Sequence, residues 1–402
     1  MSPDHTNRSA FPPAWEVLKV FSALGVTSFG GPVAHLGYFR DVFVVRRRWL
    51  DESSYADLVA LGQFLPGPAS SQVAFAIGLS RAGLWGGIAA WCGFTLPSAL
   101  LLLGFAYFAT AMSGVAAAGA IHGLGLVAVA VVAQAVWGMA RLLTPDAPRI
   151  AIAVVGATIV LFAGGSFGQI AAIMLGGVAG LLLCRGQFAT VAGHIGFSIS
   201  PRLGAVALAL FFGLLLVLPL LAAQSQAMAM FEAFYRSGAL VFGGGHVVLP
   251  LLHDAVVAPG WIAPDAFLTG YGAAQAVPGP LFTVAAYLGA SLNLAPNGAW
   301  GAGLALVAIF LPGLLILTGT LPFWDRFRMR ADAQGVMRGV NAAVVGLLAA
   351  ALYDPLWKSS ILDWSDLALA LAGFALLTML RWPPLAVVAA MVAASVAQAL
   401  IV

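Results

Sequence analysis

Phe29-Gly30-Gly31-Pro32 and Gln63-Phe64-Leu65-Pro66-Gly67-Pro68 are helix-breaking stretches, and the pair recurs about 212 residues later as Phe242-Gly243-Gly244-Gly245 and Gln275-Ala276-Val277-Pro278-Gly279-Pro280. All four lie inside strongly apolar sequence. Irregular backbone survives within a bilayer only where protein covers it or where it lines a watery cavity. Helix breakers at matching places in two membrane halves point to a transporter's binding site.

The correspondence runs beyond these stretches. Asp41 matches Asp254, Trp49-Leu50 matches Trp261-Ile262, and Leu96-Pro97 matches Leu311-Pro312. His122-Gly123-Leu124-Gly125 matches Arg338-Gly339-Val340-Asn341. The offset drifts by only a few positions, so few insertions separate the copies. The chain reads as an internal duplication.

Composition sets the class. Of 402 residues, 61% are hydrophobic and 8% charged, with a mean hydropathy of +0.99. A soluble domain carries about 25% charged residues. The expected class is an all-α polytopic membrane protein, because the glycine-rich apolar segments lack the period-two alternation of barrel strands. Apolar segments fall at 15–36, 54–80, 82–109, 115–140, 147–164 and 168–184, then at 203–222. They resume at 226–252, 263–293, 298–322, 332–353, 364–380 and 383–400. The expected organisation is a polar cytoplasmic N-terminus (1–14), a membrane repeat (15–200), a linker transmembrane helix (201–225) and a second repeat (226–402). Residues 1–14 lack the charged-then-apolar pattern of a cleaved signal.

The broken segments have flanks of about 12–15 residues, against the ~20 that a spanning helix needs. Each pair is one discontinuous helix or a re-entrant hairpin. Arginine placement favours hairpins. With a cytoplasmic N-terminus, Arg40, Arg46, Arg47, Arg48, Arg81, Arg141, Arg149, Arg185 and Arg202 then fall at the cytoplasmic face, and Arg326, Arg328, Arg330, Arg338 and Arg381 return to it. That agrees with the positive-inside rule. Either reading inverts one repeat relative to the other, the arrangement of many secondary transporters.

These motifs resemble those of the chromate ion transporter family in its long, two-domain form. The resemblance rests on Phe29-Gly-Gly-Pro32, Leu65-Pro-Gly-Pro68, Phe242-Gly-Gly-Gly-His246, Gln275-Ala-Val-Pro-Gly-Pro280 and Gly339-Val-Asn-Ala-Ala-Val344, and it runs from about Trp15 to about Trp382. It implies a multi-pass protein of the bacterial cytoplasmic membrane that exports chromate and confers resistance to it, with sulfate as an expected competitor. Phe64 stands where the second copy has Ala276, so the two copies are not interchangeable.

An oxyanion dianion is strongly hydrated, so a site must replace its water with N–H or O–H donors or with positive charge. Glycine breaks expose backbone N–H groups, and a helix that begins after a break points its positive end at the gap. Pro32, Pro68 and Pro280 suit such helix starts, where a missing N–H costs nothing. The expected substrate site is therefore Gly30, Gly31, Pro32, Gln63, Pro66, Gly67, Pro68, Gly243, Gly244, Gly245, His246, Gln275, Pro278, Gly279, Pro280 and Asn341. The competing reading of these glycines is close helix packing. Ser70, Ser71, Gln72, Thr283 and His35 are secondary candidates. Glu232 and Arg236, four residues apart on one helix, are expected to neutralise each other.

The expected partners are an inorganic oxyanion, the lipid bilayer and, as an open alternative, a second copy of the chain. No tract suits nucleic acid, no metal or cofactor motif appears, and Cys92 and Cys184 read as small packing residues. An exchanger of sulfate or another oxyanion is the alternative transporter, and a channel is a further one. A membrane-embedded enzyme is the reading from another class, and no nucleophile–base pair supports it.

Overall fold

The computed structural model describes residues 14–111, 114–184, 199–324 and 330–401, and every regular element among them is helical. Arg185, Arg326 and Arg328, and all but the last residue of the 1–14 segment, lie outside the described residues. The N-terminal half holds α1 (Ala14–Thr27), α2 (Gly31–Arg40), α3 (Glu52–Phe64), α4 (Ala69–Ala111), α5 (Val115–Leu143), α6 (Ala147–Ala163) and α7 (Gly165–Leu183). Helix α8 (Pro201–Leu221) follows. The C-terminal half holds α9 (Gln226–Ala239), α10 (Val248–Leu252), α11 (Pro264–Ala274), α12 (Val284–Ala290), α13 (Gly298–Thr320), α14 (Ala331–Ala351), α15 (Trp364–Thr378) and α16 (Pro384–Ile401). Among the described residues, six helical stretches are long and apolar enough to cross a membrane: 69–109, 115–143, 201–224, 298–323, 331–360 and 384–401.

All four predicted breaks are real, and at each the chain folds back on itself. Phe21 of α1 stacks on Phe43, just beyond α2, with ring centroids 4.9 Å apart. A straight helix rises 1.5 Å per residue, which would separate those two residues by about 33 Å. A Cβ on Gly62 of α3 would stand 3.1 Å from Val73 of α4. In the second copy, Ser237 of α9 bonds to the carbonyl of Leu251 in α10, and Gly270 of α11 lies against the Tyr287 ring of α12. Between the two open alternatives, the contacts select hairpins.

Two further reversals match across the halves. Helix α4 turns sharply at Ala82 and Gly83, and its two arms close at Gly78 and Gly86, where a Cβ on either would collide with the other's carbonyl oxygen. Gly289 and Gly301 make the same contact between α12 and α13. Small residues let backbones approach closely where apolar side chains gain nothing over lipid.

The halves interpenetrate. Helix α14 packs between α6 and α7 of the other half, with Gly339 on Gly176 and Gly180, and Gly346 on Ala153. Its counterpart α5 packs against α15 and α16, with Gly119 and Gly123 on Ser395, Val392 and Val396. His122 Nε2 and buried Asp366 Oδ1, 2.7 Å apart, tie α5 to α15. At the matching position, Arg338 reaches the Cys184 carbonyl at 3.2 Å.

The expected neutralisation on α9 is present, with Arg236 Nε donating to Glu232 Oε1 at 2.6 Å. Glu232 is only 11% exposed at its side chain. Removing one partner of a buried pair strands a charge, whereas removing both does not. Glu232→Gln or Arg236→Gln alone is thus expected to lower thermal stability in detergent by more than the double replacement does. Equal losses in all three variants would contradict this.

Candidate functional site

The four hairpin tips meet. The Gly67 N–H, in the first Pro-Gly-Pro, donates to the Val241 carbonyl at 2.7 Å, immediately before the second glycine break. The Gly279 N–H, in the second Pro-Gly-Pro, donates to the Ser28 carbonyl at 2.8 Å, immediately before the first glycine break. These are equivalent bonds made in opposite directions, each Pro-Gly-Pro tip clasping the other half's glycine tip. Pro32 and Gly245 occupy matching positions and touch each other, with 3.5 Å from the Pro32 ring to where a Gly245 Cβ would stand. All three contacts pair matching positions of the two copies.

Each Pro-Gly-Pro tip has a backstop from the opposite half. A Cβ on Gly67 would lie 2.9 Å from Gly313 Cα in α13, and one on Gly279 would lie 2.8 Å from Ser98 Oγ in α4. Both glycines also hold positive φ, +119° and +98°. Only glycine takes that backbone readily while letting another chain come so near. Gln72 Nε2 reinforces the first tip, donating to Pro66 O at 2.9 Å and Gly313 O at 3.0 Å. Thr283 closes the second, donating through Oγ1 to Pro280 O at 2.7 Å.

Helix starts follow the breaks as their prolines suggest. Pro32 sits in the first turn of α2, α4 begins directly after Pro68, and a short 3₁₀ turn, Leu281–Thr283, opens α12 after Pro280. After Gly244 a second 3₁₀ turn, Gly245–Val247, precedes α10.

The polar candidates divide. His246 Nδ1 lies 2.8 Å from the Tyr271 hydroxyl. Buried His35 sits with Nε2 3.2 Å from Ser28 O and Nδ1 3.4 Å from Ser70 Oγ. Asn341 Oδ1 comes within 3.5 Å of where a Gly243 Cβ would stand, and it is buried with no hydrogen-bond partner among the described residues. Met139 covers Gly243 and Gly244. The matched glutamines do not join the tips: Gln63 is exposed, and Gln275 Nε2 lies 3.5 Å from Tyr271 O in its own helix. Pro278 is buried in the second tip.

Sequence reasoning overlooked several groups at this centre. Ser28, Ser98 and Gly313 make the tip contacts, Thr95 and Trp91 lie one and two helical turns before Ser98, and the Tyr271 hydroxyl lies 2.8 Å from His246 Nδ1. The matched Leu-Pro pairs at 96–97 and 311–312 were a signal, since Ser98 and Gly313 each follow one of them. Ser28, Ser71 and Thr95 are fully buried, and their hydroxyls have no partner among the described residues. A buried hydroxyl without a partner costs about 1–3 kcal/mol. Such groups call for an explanation, of which a bound polar species is one.

Chemically, the centre offers backbone turned out of helices, hydroxyls, amides and two histidines.

A protein-family model described as "Chromate transporter" matches residues 15–181 and 228–396, stretches that begin at matching points of the duplication. The chromate transport protein of Pseudomonas aeruginosa is 29% identical over 359 residues, covering 86% of this chain and 82% of that protein. The chromate transport protein of Cupriavidus metallidurans is 26% identical over 373 residues, covering 90% and 87%. The uncharacterized transporter YwrA of Bacillus subtilis is 30% identical over 161 residues, which is 38% of this chain but 85% of that shorter protein. No solved structure matches the chain.

Proposed function

The chain belongs to the chromate transporter family, and from that membership we propose that it is a secondary transporter exporting chromate from the cell and so conferring resistance to it. It works as a transporter and not as an enzyme. It resides in the bacterial cytoplasmic membrane with its N-terminus inside, and its two halves are inverted relative to each other. The observation that carries the reading is the reciprocal clasp, Gly67 to Val241 and Gly279 to Ser28, which brings four broken backbones from two halves to one place. Transporters of inverted-repeat design bind at such a junction and alternate access by rocking one unit against the other. The site residues are the tips themselves: Gly30, Gly31, Pro32, Pro66, Gly67, Pro68, Gly243, Gly244, Gly245, Pro278, Gly279 and Pro280. His246 and Asn341 flank them, and Gln63 and Gln275 precede the two Pro-Gly-Pro tips in the chain.

The membrane potential or a proton gradient drives export. Everted vesicles turn cellular export into uptake and give the test. Labelled chromate is expected to accumulate in vesicles carrying the chain and to be displaced by excess sulfate. Uptake that runs only in right-side-out vesicles would reverse the assigned direction. Preferred uptake of sulfate, with chromate inert, would move the reading to a sulfate exchanger.

A further inference from the structure

Resting on the reading above, we infer that the oxyanion is gripped by the N-terminal half, through the hydroxyls of Ser28, Ser71 and Thr95 and the indole N–H of Trp91. The duplication makes the two halves comparable position by position, and at this centre they differ in polarity. Ser28, Ser71, Trp91 and Thr95 correspond to Val241, Thr283, Leu306 and Phe310. In the C-terminal set the lone hydroxyl, on Thr283, is already bonded to Pro280 O. In the N-terminal set, Ser28 Oγ, Ser71 Oγ, Thr95 Oγ1 and Trp91 Nε1 are all buried without a partner among the described residues.

Contacts of these residues and of their chain neighbours tie the segments that carry them together. Trp91, Thr95 and Ser98 recur at the i, i+4, i+7 spacing of one helix face. That face looks onto the C-terminal half, because the Trp91 ring meets Phe310 with centroids 5.7 Å apart and Ser98 meets Gly279. His35 joins the pieces: its ring packs on Phe94, Nε2 lies against Ser28 O, and Nδ1 against the hydroxyl of Ser70, the neighbour of Ser71.

The chemistry fits a tetrahedral oxyanion. Its oxygens are acceptors, a hydroxyl can turn its hydrogen to suit, and the indole N–H is a donor only. Gln72 Oε1 is the acceptor on this surface without a partner among the described residues, and its amide nitrogen is committed to Pro66 and Gly313. A site of neutral donors releases its ion more readily than one built on paired charges, as turnover requires. The C-terminal half then supplies the apolar wall of Phe282, Phe310 and Leu306 that excludes water.

The test combines labelled chromate uptake in everted vesicles with equilibrium binding of labelled chromate and of labelled sulfate to the purified chain. Ser71→Ala, Thr95→Val and Trp91→Phe are each expected to raise KM and the dissociation constant at least tenfold, with Thr95→Ser restoring both. Thr378→Val, which removes a hydroxyl already bonded to Phe374 O at 2.6 Å in α15, away from the tips, is expected to change them less than threefold. KM and binding within twofold of the parent in all three N-terminal variants would overturn the assignment while leaving the transport reading intact. A parent that moves no chromate but binds sulfate through these hydroxyls would overturn the transport reading and keep the site. A parent that binds neither ion would overturn both.

Discussion

Replacing Gly67 or Gly279 by alanine is expected to cut chromate transport at least tenfold while the protein still reaches the membrane. The added methyl meets Gly313 Cα at 2.9 Å in one case and Ser98 Oγ at 2.8 Å in the other. It does so on a backbone at φ +119° or +98°, where a side chain is already strained. A sparsely populated backbone state costs about 1–3 kcal/mol, and each ~1.4 kcal/mol of lost transition-state stabilisation is a factor of about ten in rate. The tip must then move, and with it the bond to Val241 or Ser28. Gly83→Ala is the control, since Gly83 also holds positive φ (+62°) but has open space around it and lies away from the tips. Gly83→Ala is expected to transport like the parent. Normal chromate uptake by both tip variants would remove the tips from the mechanism.

The second large effect is electrical. Moving one charge through about 100 mV is worth about 2.3 kcal/mol, so a dianion is worth about 4.6 kcal/mol. That supports a concentration ratio on the order of a thousandfold. Everted vesicles clamped at an interior-positive potential of about 100 mV are expected to hold chromate at a steady state higher by that order than unpolarised vesicles. Accumulation that ignores potential and follows an imposed proton gradient would instead assign electroneutral proton coupling.

The sequence revealed the membrane class, the duplication and all four break positions, because glycine and proline act locally: they end helices wherever they stand. It left open whether the broken segments continue or reverse. That choice is made by pairs such as Phe21 with Phe43 and Gly62 with Val73, which no local rule connects. The interleaving of α14 with α6 and α7 was equally hidden, since no local rule connects Gly339 to Gly176 and Gly180.

The site was legible in its backbone and much less in its side chains. Gln63 and Gln275 drew attention because they match across the repeat, yet Gln63 is exposed and Gln275 stays within its own helix. Ser28 and Thr95 drew none, because a lone hydroxyl in an apolar helix carries no pattern. Their interest appears only once their burial, and the lack of a partner among the described residues, are known. Identity between the copies marks what shapes the tips, while a difference between them, Thr95 against Phe310, marks polarity.

The most direct measurement is uptake of labelled chromate into liposomes carrying the purified chain under an imposed potential, the parent beside the Gly67→Ala, Gly279→Ala double variant. The parent is expected to fill the liposomes and the equally incorporated double variant to leave them near the protein-free level. Equal uptake by the two, or no uptake by the parent above protein-free liposomes, would contradict the claim that chromate passes between the clasped tips.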